Sequence, residues 1–362
     1  MIRCLVADDS RTFRAILRTV LARAQGVEVV GEAADGDEAV EQVLRLKPDV
    51  VTMDVRMPGK DGLAAIAEIM ARAPTPVIVV SAEVGPERQG IAFQALALGA
   101  IEVLAKPRSD AGGFERDAEA IRQAVRAVAG LRLVTRHRRS EAPPAVTARP
   151  AAPPRSSRAP APPAPTAWPD ASGAPAVVVG VVASTGGPPV IASLLRGLPA
   201  GFAPPVLVVQ HIAAGFEAGF AHWLGSESRR KVRVVYDGAA LEHGSTWVAP
   251  EGHHLVPRGG FLHLVNDPPV RGFRPSGTVL LEAMASEYGA LAAGLVLSGM
   301  GDDGADGLRA LRARGAPTAA QGPASSVVYG MPKVALERGG AAESIEADDL
   351  AAWVTRVTRV AR

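Results

Sequence analysis

Cysteine is almost absent. Cys4 is the single one in 362 residues, so no internal disulfide can staple the chain, and a reducing compartment is the simple reading. Aromatic residues make up 4% of the chain, which argues against an aromatic-rich β-sandwich. No apolar run approaches the ~20 residues a membrane-spanning helix needs. The opening MIRCLVAD reads as a strand and has no signal-peptide layout. We therefore expect a cytoplasmic protein with no direct membrane insertion. The net charge of +2 is too close to neutral to argue for nucleic acid. What is abundant is Ala, Gly, Pro and Arg, in a chain long enough for two α/β domains and a linker.

The most informative stretch is Ala176–Pro189, AVVVGVVASTGGPP. Its β-branched apolar run predicts a buried strand. The run stops at Ser184-Thr185-Gly186-Gly187 and passes through two prolines into a helical pattern over Val190–Leu198. A strand ending in this way leaves a hydroxyl at the carboxyl edge of a sheet, where open α/β sheets place their chemistry. Helix-initial N–H groups favour developing negative charge at the same place. Ser184 is the candidate nucleophile.

Residues 1–125 alternate between strands and amphipathic helices. The strands are predicted at Ile2–Ala7, Val27–Ala33, Val50–Met53, Val77–Ser81 and Ile101–Leu104. The helices are predicted at Thr12–Arg23, Gly36–Lys47, Asp61–Arg72 and Glu87–Leu98. Such βα units make a doubly wound parallel sheet. Polar residues gather where the strands end: Asp8, Asp9, Asp54, Ser81 and Lys106. Singly, each Asp reads as a helix N-cap and the Lys as a solvated loop residue. Jointly they fall at the ends of four strands of one sheet, and converging carboxylates need a cation, with oxygen-only ligands favouring Mg²⁺.

These residues carry a resemblance. DDS at 8–10, MDVRMPGKDG at 53–62, Ser81 and AKP at 105–107 resemble the receiver domain of two-component response regulators, over all of residues 1–125. The resemblance implies a flavodoxin-like fold with a five-stranded parallel sheet. It implies that Asp54 accepts a phosphoryl group from a histidine kinase. Asp8, Asp9 and Asp54 would hold Mg²⁺, helped by the Val55 or Arg56 carbonyl, and Ser81 and Lys106 would contact the phosphoryl oxygens. Mg²⁺ and Lys neutralise charge during transfer. One departure is Val103, where receivers usually carry an aromatic residue. The output switch is then expected to use the domain interface more than an aromatic rotamer.

Residues 126–175 change character. The segment after Val134 is rich in Pro and Ala with scattered Arg, too poor in bulky apolar residues to offset the entropy of ordering. It reads as an extended, polyproline-biased linker. Arg136, Arg138 and Arg139 form a basic cluster at its start, a solvated segment or a contact for an acidic surface. Trp168 is out of keeping with the segment and is a candidate for docking on one of the domains.

Residues 176–362 alternate again, predicting a doubly wound, mostly parallel α/β domain with an antiparallel hairpin around 246–265. Ser184 needs a base. Of seven histidines, His137 lies in the linker, His222 in a helical stretch, and His243, His253, His254 and His263 in or near the hairpin. His211 differs: PPVLVVQH ends an apolar strand at the same sheet edge as Ser184, where an imidazole can take the hydroxyl proton. Strand 292–299 delivers Met300-Gly301-Asp302-Asp303-Gly304 to that edge, and either Asp302 or Asp303 can orient the imidazole, with N-capping as the structural role for the other. DDGADG lacks EF-hand spacing. Val182 stands where a nucleophile elbow needs Gly, and the order Ser, His, Asp is not that of α/β-hydrolases. The glycines do not fit a dinucleotide fingerprint.

ASTGGP at 183–188, VQHIAAGF at 209–216, VAPEGHHL at 248–255, RPSGTVLLEAMA at 274–285, LSGMGDDGADGL at 297–308 and SSVVYGMPKVAL at 325–336 resemble the catalytic domain of bacterial chemotaxis methylesterases, the CheB family. The order of receiver, linker and esterase is characteristic of that family. It implies a phosphorylation-activated hydrolase that removes methyl esters from glutamyl side chains of methyl-accepting chemoreceptors, in some members also a glutaminase acting on receptor glutamines. By motif, Ser184 is the nucleophile, His211 the base and Asp303 the acid, with Thr185 and the Met300 backbone holding the oxyanion and no cofactor for the esterase step. Gly322-Pro323 after Gln321 departs from the polar or acidic residue usual there. Two other readings compete. A non-catalytic phospho-receiver adaptor would not need the Ser-His-Asp set. A DNA-binding regulator needs a recognition helix and a basic output domain, and the second half of the chain displays neither.

Overall fold

The computed structural model describes residues 1–82, 86–107, 111–131 and 177–358. His137, the Arg136, Arg138 and Arg139 cluster and Trp168 lie outside the described residues.

The amino-terminal half comprises β1 (Ile2–Ala7), α1 (Arg11–Ala22), β2 (Val27–Ala33), α2 (Gly36–Leu46), β3 (Val50–Met53), α3 (Gly62–Arg72), β4 (Val77–Ser81), α4 (Pro86–Ala97), β5 (Glu102–Ala105) and α5 (Ala111–Val128). The strands form one parallel sheet in the order β2-β1-β3-β4-β5. Near-continuous apolar strands such as VVTM in β3 are fully buried, as a sheet covered on both faces requires. The helices start where short polar side chains satisfy free N–H groups. The Ser10, Asp35 and Asp61 side chains accept from Phe13, Glu38 and Ala64 N–H at the starts of α1, α2 and α3. Ser10, rather than Asp8 or Asp9, caps α1, so both aspartates stay available at the sheet edge. The sheet order reverses between β1 and β3, a topological switch point with Asp8 and Asp9 after one strand and Asp54 after the other.

The carboxyl-terminal half comprises β6 (Val178–Ala183), α6 (Gly187–Gly197), β7 (Val206–Gln210), α7 (Glu217–Ser228), β8 (Lys231–Val234), β9 (Ala239–Ala240), β10 (Ser245–Val248), β11 (His254–Arg258), β12 (Phe261–Val265), α8 (Gly277–Glu287), β13 (Ala292–Val296), α9 (Ala305–Ala313), β14 (Thr318–Gln321), α10 (Met331–Glu337), β15 (Glu343–Ile345) and α11 (Leu350–Val357). Seven strands form a parallel sheet in the order β15-β14-β13-β6-β7-β10-β8. β11, β12 and β9 form a separate antiparallel sheet. The α/β expectation holds in both halves, with one correction. Thr246–Ala249 is not part of the hairpin: β10 pairs in parallel with β7 and β8. Its four residues are all buried, including Trp247, which suits an interior parallel strand. The hairpin is β11–β12 alone. Here too the order reverses at one strand, since β6 lies between β7, reached through α6, and β13, reached much later. Ser184, His211 and Asp303 follow the adjacent strands β6, β7 and β13.

Candidate active site

The turn after β6 is fixed from several sides. Ser184 N–H donates to Ser298 O at 3.0 Å, and Ser184 O accepts from Gly187 N–H at 2.8 Å. Gln210 Nε2 donates to both Ser184 O (2.9 Å) and His211 O (3.0 Å). One side-chain amide thus ties the two backbones together. Ser298 Oγ donates to Thr185 O at 2.8 Å, and Ser298 N–H donates to Gln321 Oε1 at 2.8 Å. Close approach explains two glycines. Gly186 has φ +77°, and a Cβ at Gly299 would lie 2.7 Å from Ser184 Cβ, nearer than side chains pack.

His211 Nε2 lies 2.9 Å from Asp303 Oδ2. Asp303 is fully buried. It also accepts from Ser276 Oγ at 2.7 Å, Gly277 N–H at 2.6 Å, Thr278 N–H at 3.0 Å and Gly304 N–H at 3.0 Å. The N-terminus of α8 therefore delivers two N–H groups and its dipole to this carboxylate. Burial alone would raise the carboxyl pKa, but His211, Ser276 and Thr278 outweigh it and hold Asp303 well below the usual carboxylate range. An ionised Asp303 only accepts, so Nε2 carries the proton of that hydrogen bond, and Nδ1 has no partner among the described residues. Asp302 lies outside this arrangement, ion-paired with Arg271 and Arg338.

Ser184, Thr185, His211, Phe273 and Met300 line one cavity of about 480 Å³, and Glu102 of β5 lines it from the other half of the chain. Thr185 Oγ1 donates to Glu102 Oε1 at 3.2 Å. Burial pushes the Glu102 carboxyl up to about 7, against the downward pull of that hydrogen bond. Arg116 of α5 approaches Glu251 at 3.5 Å. On α4, Phe93 is 1% exposed and packs against α7. Its ring centroid lies 6.1 Å from Phe216, 5.4 Å from Phe220 and 5.9 Å from Trp223. Burying one such ring contributes about 1.5–3 kcal/mol. Val103 is buried in the same apolar cluster.

At the edge of the first sheet, oxygens of Asp8, Asp9 and Asp54 lie within 4.8 Å of one another. Lys106 Nζ reaches Asp54 Oδ2 at 2.6 Å and Asp8 Oδ2 at 2.7 Å. Burial raises the Asp8 pKa, partly offset by Lys106. The three converging carboxylates form an oxygen-only donor set that fits a divalent cation, and Lys106 places a positive charge beside it. Ser81 ends β4, and its carbonyl accepts from Lys106 N–H at 2.9 Å. The Val55 carbonyl accepts from Gly62 N–H at 2.9 Å.

Nothing in the local residue pattern singles out Ser276, Gln210, Ser298, Phe273 or Glu102, because each acts through a partner distant in sequence. The Gly322 departure also finds its explanation in space. A Cβ there would come within 2.1 Å of Glu346 Oε1, and Glu346 accepts from Ser325 N–H at 2.9 Å. A carboxylate from beyond β15 therefore occupies the space beside position 322 and holds the Ala324-Ser325 backbone.

Fold and site define a class: a receiver-type sheet joined to an α/β domain that brings Ser184, His211 and Asp303 to its switch point, with His211 paired to Asp303. The family description "CheB methylesterase" matches residues 179–354, and "Response regulator receiver domain" matches 4–113. A protein from Anaeromyxobacter dehalogenans named protein-glutamate methylesterase/protein-glutamine glutaminase 2 is 43% identical, covering 99% of this chain and 97% of its own. One from Geobacter metallireducens, with the same name but numbered 4, is 39% identical over 100% and 99%. The crystal structure of the Thermotoga maritima CheB methylesterase catalytic domain is 30% identical, covering 50% of this chain and 98% of its own, with a TM-score of 0.49. The chain belongs to the CheB methylesterase family.

Proposed function

We propose that this chain is a phosphorylation-regulated protein-glutamate methylesterase and protein-glutamine glutaminase acting on methyl-accepting chemoreceptors in the cytoplasm. The observation that carries the reading is the 2.9 Å His211–Asp303 pair on the strand edge next to Ser184, within one cavity. Ser184 Oγ attacks the side-chain ester carbonyl while His211 Nδ1 takes its proton. Asp303 stabilises the imidazolium that forms. The proton then passes to the departing methoxide, which leaves as methanol, and water hydrolyses the acyl-enzyme with His211 again as base. For a glutamine the leaving group is ammonia. Thr185 and the Met300 backbone hold the oxyanion, a contribution typically worth ~10²–10³ in rate per donor.

Residues 1–125 form the receiver, 126–175 the linker and 176–362 the esterase. Asp54 accepts the phosphoryl group from a chemotaxis-type histidine kinase. Asp8, Asp9 and Asp54 would hold Mg²⁺, which when bound supplies positive charge against the phosphoryl oxygens. Lys106 Nζ and the Ser81 hydroxyl contact those oxygens. Among the described residues no helix is long and apolar enough to cross a membrane. The interface supports regulation by access, because Glu102 occupies the Thr185 hydroxyl and Phe93 clamps α7. A Ser184→Ala chain should release no methanol from methylated receptors yet take up phosphoryl groups normally. Substantial residual release would remove Ser184 from its role.

A further inference from the structure

The segment between β12 and α8 contains a two-residue hairpin turn at Val270–Phe273. Val270 and Phe273 exchange both backbone hydrogen bonds at 3.0 Å. Arg271 and Gly272 have φ of +54° and +86°, the pattern of a type I′ turn. Positive φ is unfavourable for an arginine, and here its guanidinium is held by Asp302 and Asp306. Arg338 grips the same two carboxylates at 2.7 and 3.2 Å. The tip of the turn is thus anchored to the residue next to Asp303. The base of the segment is closed by His254, fully buried. Its Nε2 donates to Pro268 O at 3.2 Å, and its Nδ1 accepts from Ser276 N–H at 3.2 Å. Between these anchors the Phe273 ring lies flat on His211, with centroids 3.8 Å apart and planes 4° apart.

We infer that Phe273 is a positioning residue for His211, held flat on the imidazole by an anchored turn. The stack stops the ring from rotating away from Asp303. It also acts differentially. A neutral imidazole gains little from a phenyl face, whereas the imidazolium formed as Ser184 loses its proton is a cation over that face, an interaction of ~0.5–2 kcal/mol. Attraction that appears only with the charge lowers the barrier rather than tightening substrate binding. This rests on the hydrolase reading above.

The test uses the full chain with Phe273→Tyr, Phe273→Leu and Arg271→Ala. Phe273→Leu keeps apolar bulk and loses the flat face, and it should lower kcat by roughly 3- to 30-fold with KM unchanged. Phe273→Tyr should restore kcat. Arg271→Ala keeps both rings but frees the turn that holds Phe273 on His211, and should also lower kcat alone, which keeps the test open if a Phe273 variant does not fold. A second readout needs no receptor: the rate at which a fluorophosphonate labels Ser184, which should follow the same order. If wild type is labelled but releases no methanol, the receptor-esterase reading fails while labelling still judges the stack. Phe273→Leu with wild-type kcat and labelling, or Phe273→Tyr no better than Phe273→Leu, would overturn the inference.

Discussion

At the scale of single residues, the site depends on how fully Asp303 is satisfied. A buried carboxylate is costly unless its oxygens are hydrogen-bonded. Here it receives Ser276, three backbone N–H groups and His211. Ser276→Ala removes the one side-chain hydroxyl among them, and hydrogen bonds to charged groups contribute ~1.5–3 kcal/mol. It should lower kcat by roughly tenfold or more with KM little changed, and lower the unfolding free energy measured in denaturant by ~2 kcal/mol. An unchanged kcat would mean that the α8 N–H groups alone hold the acid in place. Ser184, His211 and the Asp302-Asp303 pair are legible in the sequence because each ends a strongly apolar strand. The choice of Asp303 over Asp302 follows from motif resemblance, and the physical reason appears only in space: Asp303 meets the start of α8, while Asp302 pairs with Arg271 and Arg338. Ser276, His254 and Phe273 carry no periodic or spacing signal, since their partners lie 27, 22 and 62 positions away.

At the scale of elements, well-buried strands announce themselves as apolar runs, and β1, β3 and β4 fall within the bounds their patterns predict, as does the half-buried edge strand β2. STWV of β10 mixes polar and apolar residues, and its neighbours 254–265 make a genuine hairpin. Sequence adjacency thus draws β10 into the wrong sheet. The element that meets the second half most closely at the cavity is β5, which delivers Glu102 to Thr185 and Val103 to the apolar cluster behind. Glu102 predicts a pH dependence. Its carboxyl is raised from 4.5 to about 7 when packed, so the closed arrangement favours the protonated form. The corresponding stabilisation, roughly 3 kcal/mol, is fully present below pH ~4.5 and is lost as pH rises through about 7. Arg116, Asp117, His211, Glu251 and Arg274 line the same cavity, so the measurement is a ratio to Glu102→Gln, which keeps an acceptor for Thr185 but does not titrate. Basal methanol release by wild type relative to Glu102→Gln should rise with pH and level off above about 7. A flat ratio would show that the carboxyl does not bias the contact.

At the scale of the whole molecule, two switch points face different tasks: one gathers carboxylates and a lysine, the other a serine, a histidine and an aspartate. The contact between the halves places β5 and α5 against the second of these and α4 against α7. On the proposed function, this contact is the route by which phosphoryl chemistry at Asp54 would reach ester chemistry at Ser184. The most direct measurement is methanol release from methylated receptors by the full chain, before and after a small phosphodonor loads Asp54, with Asp54→Asn alongside. The account predicts that loading raises the rate of the wild type and leaves Asp54→Asn at its basal rate. Equal rates for loaded and unloaded wild type would contradict it.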